Sequence, residues 1–130
     1  MRRNASILVI DDEEIMREIL EALLTREGYL VHLAASGEEG VELAKSVPLD
    51  AAVVDVMMPG MDGWETCTRI KCDAVTADIP VILLTGADDR DLSQHANAVG
   101  ASALLQKPCP ADRLRETIVS VLDGNSVSKR

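Results

Sequence analysis

The chain has 130 residues, enough for one ordinary domain with a single hydrophobic core. Apolar residues make up 47% of the sequence, and this core must be aliphatic because the chain has no Phe and only one Trp and one Tyr. A formal net charge of −9 argues against direct binding to nucleic acid or to an anionic membrane surface. No stretch has the length of a membrane span or the apolar run of a signal peptide, so we expect a cytoplasmic protein.

Short β-branched apolar runs alternate with segments of helical periodicity along the chain. The runs are near-continuous, as in strands covered on both faces, and they occupy residues 7–10, 30–33, 51–54, 81–84 and 103–105. This alternation predicts βαβ units around a parallel sheet. We therefore expect an α/β fold of the doubly wound (βα)5 type, with five parallel strands in the flavodoxin-like order 2-1-3-4-5.

The first two helices are predicted from apolar spacing and from their ends. Helical spacing runs through five residues, Ile15, Ile19, Leu20, Leu23 and Leu24. Gly28 then supplies a C-terminal stop. Ser36 with Glu39 three residues later is typical of a capping box at the start of the second helix, and Pro48 prevents its continuation.

The last three helices follow the third, fourth and fifth strands. Asp62 with Glu65 opens the third helix, Gly100 stops the fourth, and Pro110 starts the fifth. The apolar positions of the fourth and fifth helices are Leu92, Ala96 and Val99, and then Leu114, Ile118, Val121 and Leu122. These helices complete the five βα units.

Polar side chains follow four of the five predicted strands. Asp11-Asp12 come after the first strand, and the third, fourth and fifth are followed by Asp55, Thr85 and Lys107. Since the carboxyl ends of parallel strands meet at one edge of a sheet, these side chains are expected to converge there. Three converging carboxylates repel one another, and their hard oxygen atoms suit Mg²⁺. The alternative is that Asp11 and Asp12 merely cap the first helix.

Asp55 is the candidate phosphoryl acceptor, because a rigid strand end holds its carboxylate beside the expected metal. Lys107 supplies a positive charge for a phosphate oxygen, and the Thr85 hydroxyl can hydrogen-bond another. The alternative interpretations are that Lys107 is a solvated surface lysine and that Thr85 is a turn residue at the end of a strand.

The remaining candidates are assigned ordinary structural roles. Three cysteines match no zinc pattern and are interpreted as reduced thiols used for packing: Cys67, Cys72 and Cys109. Two histidines without clustered partners are assigned to packing or to the surface: His32 and His95. Met57-Met58 is interpreted as core and loop filling, and Trp64 as part of the third helix.

Taken together, the motifs of this sequence resemble those of response-regulator receiver domains. The motifs are Asp11-Asp12, Asp55 with Met58-Pro59-Gly60-Met61-Asp62-Gly63, Thr85-Gly86, and Lys107-Pro108. Each is weak alone, but their joint occurrence at predicted strand ends is specific. The resemblance covers the chain from about Ile7 to Leu122. It implies a receiver domain over residues 1–123, followed by a polar tail or the start of a linker over residues 124–130.

The resemblance implies transfer of a phosphoryl group to Asp55 from a phosphohistidine of a sensor histidine kinase or a phosphotransfer protein. It also implies that Mg²⁺ is held by Asp12, Asp55 and the backbone carbonyl of Met57, with Asp11 helping through water. Such a domain catalyses its own phosphorylation and its slow dephosphorylation, and it does not turn over external substrates.

The resemblance further implies how the signal leaves the domain. Thr85 would be the switch hydroxyl, and the face formed by the fourth helix, fifth strand and fifth helix would change for a partner or an output domain. The Lys107-Pro108 peptide bond is expected to be cis. Two positions depart from the usual pattern: Leu104 replaces a frequent aromatic residue, and Cys109 replaces a larger apolar one.

We also expect the aspartyl phosphate to be lost slowly. Met57 and Ala87 flank the expected approach of the attacking water, two residues after the acceptor and two after the switch hydroxyl. A thioether and a methyl group position water poorly.

Rival functions fit the sequence less well. A flavodoxin-like cofactor binder would need a Gly-rich phosphate loop after the first strand, where the chain has Asp11-Asp12. A phosphatase with an aspartyl nucleophile would need a second Asp where the chain has Met57. A docking module that works without phosphorylation remains open.

Overall fold

A computed structural model describes residues 4–86 and 92–124. Five parallel strands form one sheet in the order β2-β1-β3-β4-β5, which confirms the predicted fold. The strands are β1 (Ser6–Ile10), β2 (Leu30–Ala34), β3 (Ala51–Asp55), β4 (Val81–Thr85) and β5 (Ala103–Gln106). Each predicted run falls within its strand, because continuous aliphatic segments suit positions that are buried on both faces.

Five helices cover the two faces of the sheet. They are α1 (Glu14–Arg26), α2 (Gly37–Ser46), α3 (Gly63–Cys72), α4 (Leu92–Ala98) and α5 (Ala111–Leu122). One aliphatic core lies under α1 and α5, and a second lies under α2, α3 and α4. Alternate strand residues feed the two cores, as the period of two in a strand requires. Among the described residues, no helix combines the length and apolarity needed to cross a bilayer.

The predicted helix ends are confirmed by their hydrogen bonds. The Glu39 N–H donates to Ser36 Oγ at 3.1 Å, and Glu39 Oε1 accepts from the Ala35 N–H at 2.6 Å. Asp62 Oδ1 accepts from the Glu65 N–H at 2.9 Å at the start of α3. Short-range sequence signals are reliable here because both partners lie within a few residues of each other.

The apolar residues of α1 do not all pack against the sheet, and one cysteine assigned to packing is exposed. Ile15 and Ile19 share the helical spacing of α1, yet they are 72% and 54% exposed, while Leu20 and Leu24 are buried. At ~100° per residue, Ile15 points about 140° away from Leu20 around the helix axis. Not all of these residues can therefore face the sheet. Cys67 is fully buried, but Cys72 is exposed and does not serve packing.

Gly63 lets α3 approach the end of β3 closely. A Cβ at this position would lie 2.4 Å from the Asp55 carbonyl oxygen and 2.6 Å from Val56 Cα. Backbone atoms cannot move aside as a flexible side chain does, so only a residue without a Cβ fits. The contact fixes the loop that follows the acceptor strand.

Gly63→Ala is therefore expected to lower the free energy of unfolding by about 1 to 3 kcal/mol through overpacking. Gly86→Ala is the matched control, because no described residue other than its chain neighbours places a heavy atom within 4 Å of its would-be Cβ. Urea denaturation followed by circular dichroism compares both variants with the parent. Equal stability of the two variants would contradict the argument.

Candidate functional site

The described structure brings the polar strand ends to one edge of the sheet. Asp11 directly follows β1, Asp55 ends β3, Thr85 ends β4, and Lys107 follows β5. The register places Asp55 opposite Leu84, the residue before Thr85. Asp55 thus lies at the centre of the edge, with Asp11 on one neighbouring strand and Thr85 on the other.

Three carboxylates meet at this edge. Asp11, Asp12 and Asp55 each offer an oxygen, and these oxygens lie within 4.8 Å of one another. Asp11 and Asp55 are buried, with 1% and 3% of their surface exposed, whereas Asp12 is exposed to solvent. Negative charges held this close in a partly dry site repel one another strongly unless cations compensate them.

Lys107 supplies part of this compensation. Its Nζ lies 3.1 Å from Asp55 Oδ1 and 3.8 Å from Asp11 Oδ2. The lysine side chain is only 22% exposed, so it is not the solvated surface residue of the alternative interpretation. Among the described residues, Lys107 is paired with two of the three carboxylates, Asp11 and Asp55, so its compensation of the cluster is partial.

Asp11 carries the clearest electrostatic strain. Its Oδ1 accepts from the Glu13 N–H at 2.9 Å, but its Oδ2 is buried without a hydrogen-bond partner among the described residues. Burial raises the pKa of Asp11, and the Asp55 and Asp12 charges act in the same direction, while the Glu13 N–H and Lys107 oppose them. Lys107 Nζ lies 3.8 Å from this oxygen, beyond hydrogen-bond distance, and a further cation at this edge would add to the compensation of its charge.

The alternative role of the Asp pair as a helix cap is only partly supported. Glu13 is the N-cap of α1 and makes no side-chain capping bond. Asp11 accepts from the Glu13 N–H with one oxygen, and its other oxygen accepts no hydrogen bond from residues 4–86 or 92–124. The Oδ2 of Asp11 therefore takes no part in capping α1.

The loop after β3 is held against the acceptor carboxylate. The Met57 N–H donates to Asp55 Oδ1 at 3.2 Å, and the Met58 and Gly63 N–H groups donate to the Val56 carbonyl at 3.2 and 3.0 Å. Met58 is buried as predicted for a core residue, but Met57 is 65% exposed. The backbone of Met57 is thus fixed beside Asp55 while its thioether reaches solvent.

Thr85 and Lys107 are linked through the backbone. The Lys107 N–H donates to the Thr85 carbonyl at 2.7 Å, and Thr85 is buried. The Lys107-Pro108 peptide bond is cis, as predicted from the resemblance. Ala87, the second residue of the prediction about slow phosphate loss, lies outside the described residues.

Two contacts near the site were missed by the sequence analysis. The Trp64 and His95 rings stack with centroids 3.9 Å apart and planes 14° apart, which joins the start of α3 to α4. The Arg17 guanidinium donates to the Asp11 carbonyl at 2.7 Å. The assigned helices of Trp64 and His95 are right, but no local signal pairs residues so distant in sequence.

Comparison with known proteins points to one protein family. A family model described as the response regulator receiver domain matches residues 7–119. The transcriptional regulatory protein AfsQ1 of Streptomyces coelicolor is 46% identical over 118 residues, covering 90% of this chain and 51% of AfsQ1. Protein PilH of Pseudomonas aeruginosa is 35% identical over 120 residues, covering 92% of this chain and 99% of PilH.

Solved structures of the same kind superpose on this fold. The chemotaxis protein CheY4 of Vibrio cholerae has a TM-score of 0.84 at 30% identity, covering 88% of this chain and 96% of CheY4. A response regulator receiver domain protein of Clostridium thermocellum has a TM-score of 0.85 at 33% identity, covering 92% of this chain and 95% of that protein. The chain thus spans about half the length of AfsQ1 and nearly all of PilH.

Proposed function

The chain belongs to the response regulator receiver domain family, and we propose that it is a switch in which Asp55 accepts a phosphoryl group in the presence of Mg²⁺. The observation that carries this proposal is the setting of Asp55. Its carboxylate is buried at the centre of the sheet edge, 3.1 Å from Lys107 Nζ and beside two further carboxylates. A nucleophile, a fixed cation and a set of hard oxygen ligands are the parts that phosphoryl transfer to an aspartate requires.

The oxygen donors at this edge fit Mg²⁺. Asp12, Asp55 and the Met57 carbonyl would hold the ion, and Asp11 would bind one of its waters. The buried Asp11 Oδ2 without a hydrogen-bond partner supports this assignment. When bound, Mg²⁺ neutralises negative charge on the transferred group.

The residues of the chain then act as follows. A carboxylate oxygen of Asp55 forms a bond to phosphorus while the bond from phosphorus to the donor histidine nitrogen breaks, and the imidazole leaves. Lys107 binds a phosphoryl oxygen through the ammonium group that lies 3.1 Å from Asp55. Thr85 donates its hydroxyl to another phosphoryl oxygen from the neighbouring strand.

The proposed partners are a sensor histidine kinase or a phosphotransfer protein upstream, and a protein or output domain that contacts α4, β5 and α5 downstream. Leu104 is buried on β5, where an aromatic switch residue is frequent in the family. The Trp64–His95 stack is a structural link between the start of α3 and α4 that does not need an aromatic residue at position 104. We further predict a cytoplasmic location and no direct contact with nucleic acid or membrane. The assignment of residues 124–130 as a polar tail or the start of a linker also stays a prediction.

Acetyl phosphate with Mg²⁺ tests the proposal. Intact-mass spectrometry should show one added phosphoryl group. No adduct should form when the reaction contains a chelator in place of Mg²⁺. An unchanged mass with acetyl phosphate and with a phosphorylated histidine kinase would overturn the proposal and favour a docking module that works without phosphorylation.

Slow loss of the phosphoryl group is a further expectation. Met57→Asn combined with Ala87→Glu should shorten the lifetime by several-fold, because both new side chains can orient the attacking water. Phosphate release after removal of the donor measures the lifetime. A double variant that decays no faster than the parent would refute the role of these two side chains.

A further inference from the structure

Met57 differs from the other methionines of the described chain in its exposure. It is 65% exposed, whereas Met58 and Met61 are 8% and 7% exposed and Met16 is partly buried against the core. A thioether is oxidised at a rate that depends on access of the oxidant to sulfur. A diffusing oxidant therefore reaches Met57 before the two buried methionines of the same loop.

Met57 is also the methionine closest along the backbone to the acceptor. Its N–H donates to Asp55 Oδ1 at 3.2 Å, so its backbone is held beside the carboxylate while its side chain extends into solvent. An open cavity of about 420 Å³ adjoins this loop and is lined by Val56, Met57, Met58, Asp62 and Trp64. Solvent and small solutes thus have access to the Met57 side chain beside the site.

We propose that Met57 is an oxidation site for hydroperoxides and that its sulfoxide shortens the lifetime of the aspartyl phosphate. The inference rests on the proposed function of Asp55. It assigns to the same site a second input, an oxidant, which acts on a side chain that the phosphoryl transfer itself does not use.

The chemistry is balanced with a peroxide as the named oxidant. The Met57 sulfur attacks one peroxide oxygen, the O–O bond breaks, and an S–O bond forms. Sulfur loses two electrons, and hydrogen peroxide is reduced to water. Methionine sulfoxide reductases reverse the change.

Oxidation alters what Met57 offers to water. The thioether accepts hydrogen bonds weakly, while the sulfoxide oxygen is polar and accepts them well. Because hydrolysis needs an oriented water, we expect a strong acceptor on the residue whose backbone contacts Asp55 to accelerate it. The buried methionines cannot supply this effect, since their sulfur atoms do not reach the solvent at the site.

The first measurement locates the modification. The intact chain is treated with limiting hydrogen peroxide, then with a thiol reductant, and is mapped by peptide mass spectrometry. Met57 sulfoxide should accumulate several-fold faster than the sulfoxides of Met58 and Met61. Equal rates at the three positions would overturn the assignment of the site.

The second measurement tests the consequence. The parent is phosphorylated with acetyl phosphate and Mg²⁺ before and after oxidation, and phosphate release is followed after the donor is removed. Oxidised parent should decay several-fold faster, and a methionine sulfoxide reductase should restore the slow rate. Unchanged decay after full oxidation of Met57 would overturn the inference while leaving the proposed function intact.

Two variants separate Met57 from other oxidisable groups. Met57→Leu lacks the thioether but keeps all three cysteines. Peroxide should therefore not change the rate at which its aspartyl phosphate is lost. Met57→Gln carries a permanent polar acceptor and should decay faster than Met57→Leu without any oxidant. A peroxide effect that persists in Met57→Leu would assign the effect elsewhere and refute the proposal. Absence of any adduct before oxidation would instead refute the proposed function, and this inference with it.

Discussion

Asp55→Asn is expected to abolish the phosphoryl adduct formed with acetyl phosphate and Mg²⁺. The amide matches the carboxylate in size but is a poor nucleophile, and no other carboxylate of the cluster has the same setting. Asp12 is exposed, and one oxygen of Asp11 is committed to the Glu13 N–H. We therefore expect no transfer to a neighbouring residue.

Asp62→Asn is the matched control for this experiment. Asp62 lies on the same loop, but its carboxylate caps α3 through the Glu65 N–H at 2.9 Å, and Asn caps helices equally well. The control should take up one phosphoryl group like the parent. Intact mass and peptide mapping distinguish the two variants, and a full adduct in Asp55→Asn would show that the acceptor is misassigned.

Asp11→Asn is expected to stabilise the fold while weakening its response to Mg²⁺. The carboxylate of Asp11 is buried beside Asp55, and its Oδ2 has no hydrogen-bond partner among the described residues. An uncharged amide removes the repulsion and keeps an oxygen for the Glu13 N–H. Removing the charge relieves the cost of burying it and its repulsion by Asp55 and Asp12, which together exceed the lost attraction to Lys107, so the free energy of unfolding should rise.

The same substitution should change the dependence of stability on pH. Burial raises the pKa of Asp11 above its ordinary value of 3.8, so the folded state holds this proton more tightly than the unfolded state. The penalty is absent below the unfolded pKa and grows as pH rises through the folded pKa. In the parent, Asp11 thus contributes a loss of stability from about pH 3.8 upward, and Asp11→Asn lacks this contribution.

Urea denaturation over a range of pH, with and without Mg²⁺, measures these effects. A ligand that binds only the folded state stabilises it by about 2.7 kcal/mol at 100 times its dissociation constant. The parent should show a stabilisation of this kind, and Asp11→Asn a smaller one.

Asp12→Asn serves as the control for burial. Asp12 is exposed, so its substitution should weaken the Mg²⁺ response without a comparable gain of stability in the absence of Mg²⁺. If Asp11→Asn is no more stable than Asp12→Asn, burial of the Asp11 charge does not destabilise the fold.

Local features of this protein were determined by the sequence alone. The strands could be predicted because a doubly covered parallel sheet needs continuous aliphatic runs, and all five runs are present. The caps at Ser36 and Asp62 could be predicted because their partners lie three residues away. The convergence of Asp11, Asp55 and Lys107 followed from the topology, which brings the carboxyl ends of parallel strands to one edge.

Only the tertiary structure decided which of these groups are strained, paired or exposed. Composition does not show that Asp11 Oδ2 accepts no hydrogen bond from the described residues, or that Lys107 lies nearer to Asp55 than to Asp11. The Trp64–His95 stack likewise joins residues that belong to different helices. These properties depend on distances between elements far apart in the chain, and periodicity within one element carries no information about them.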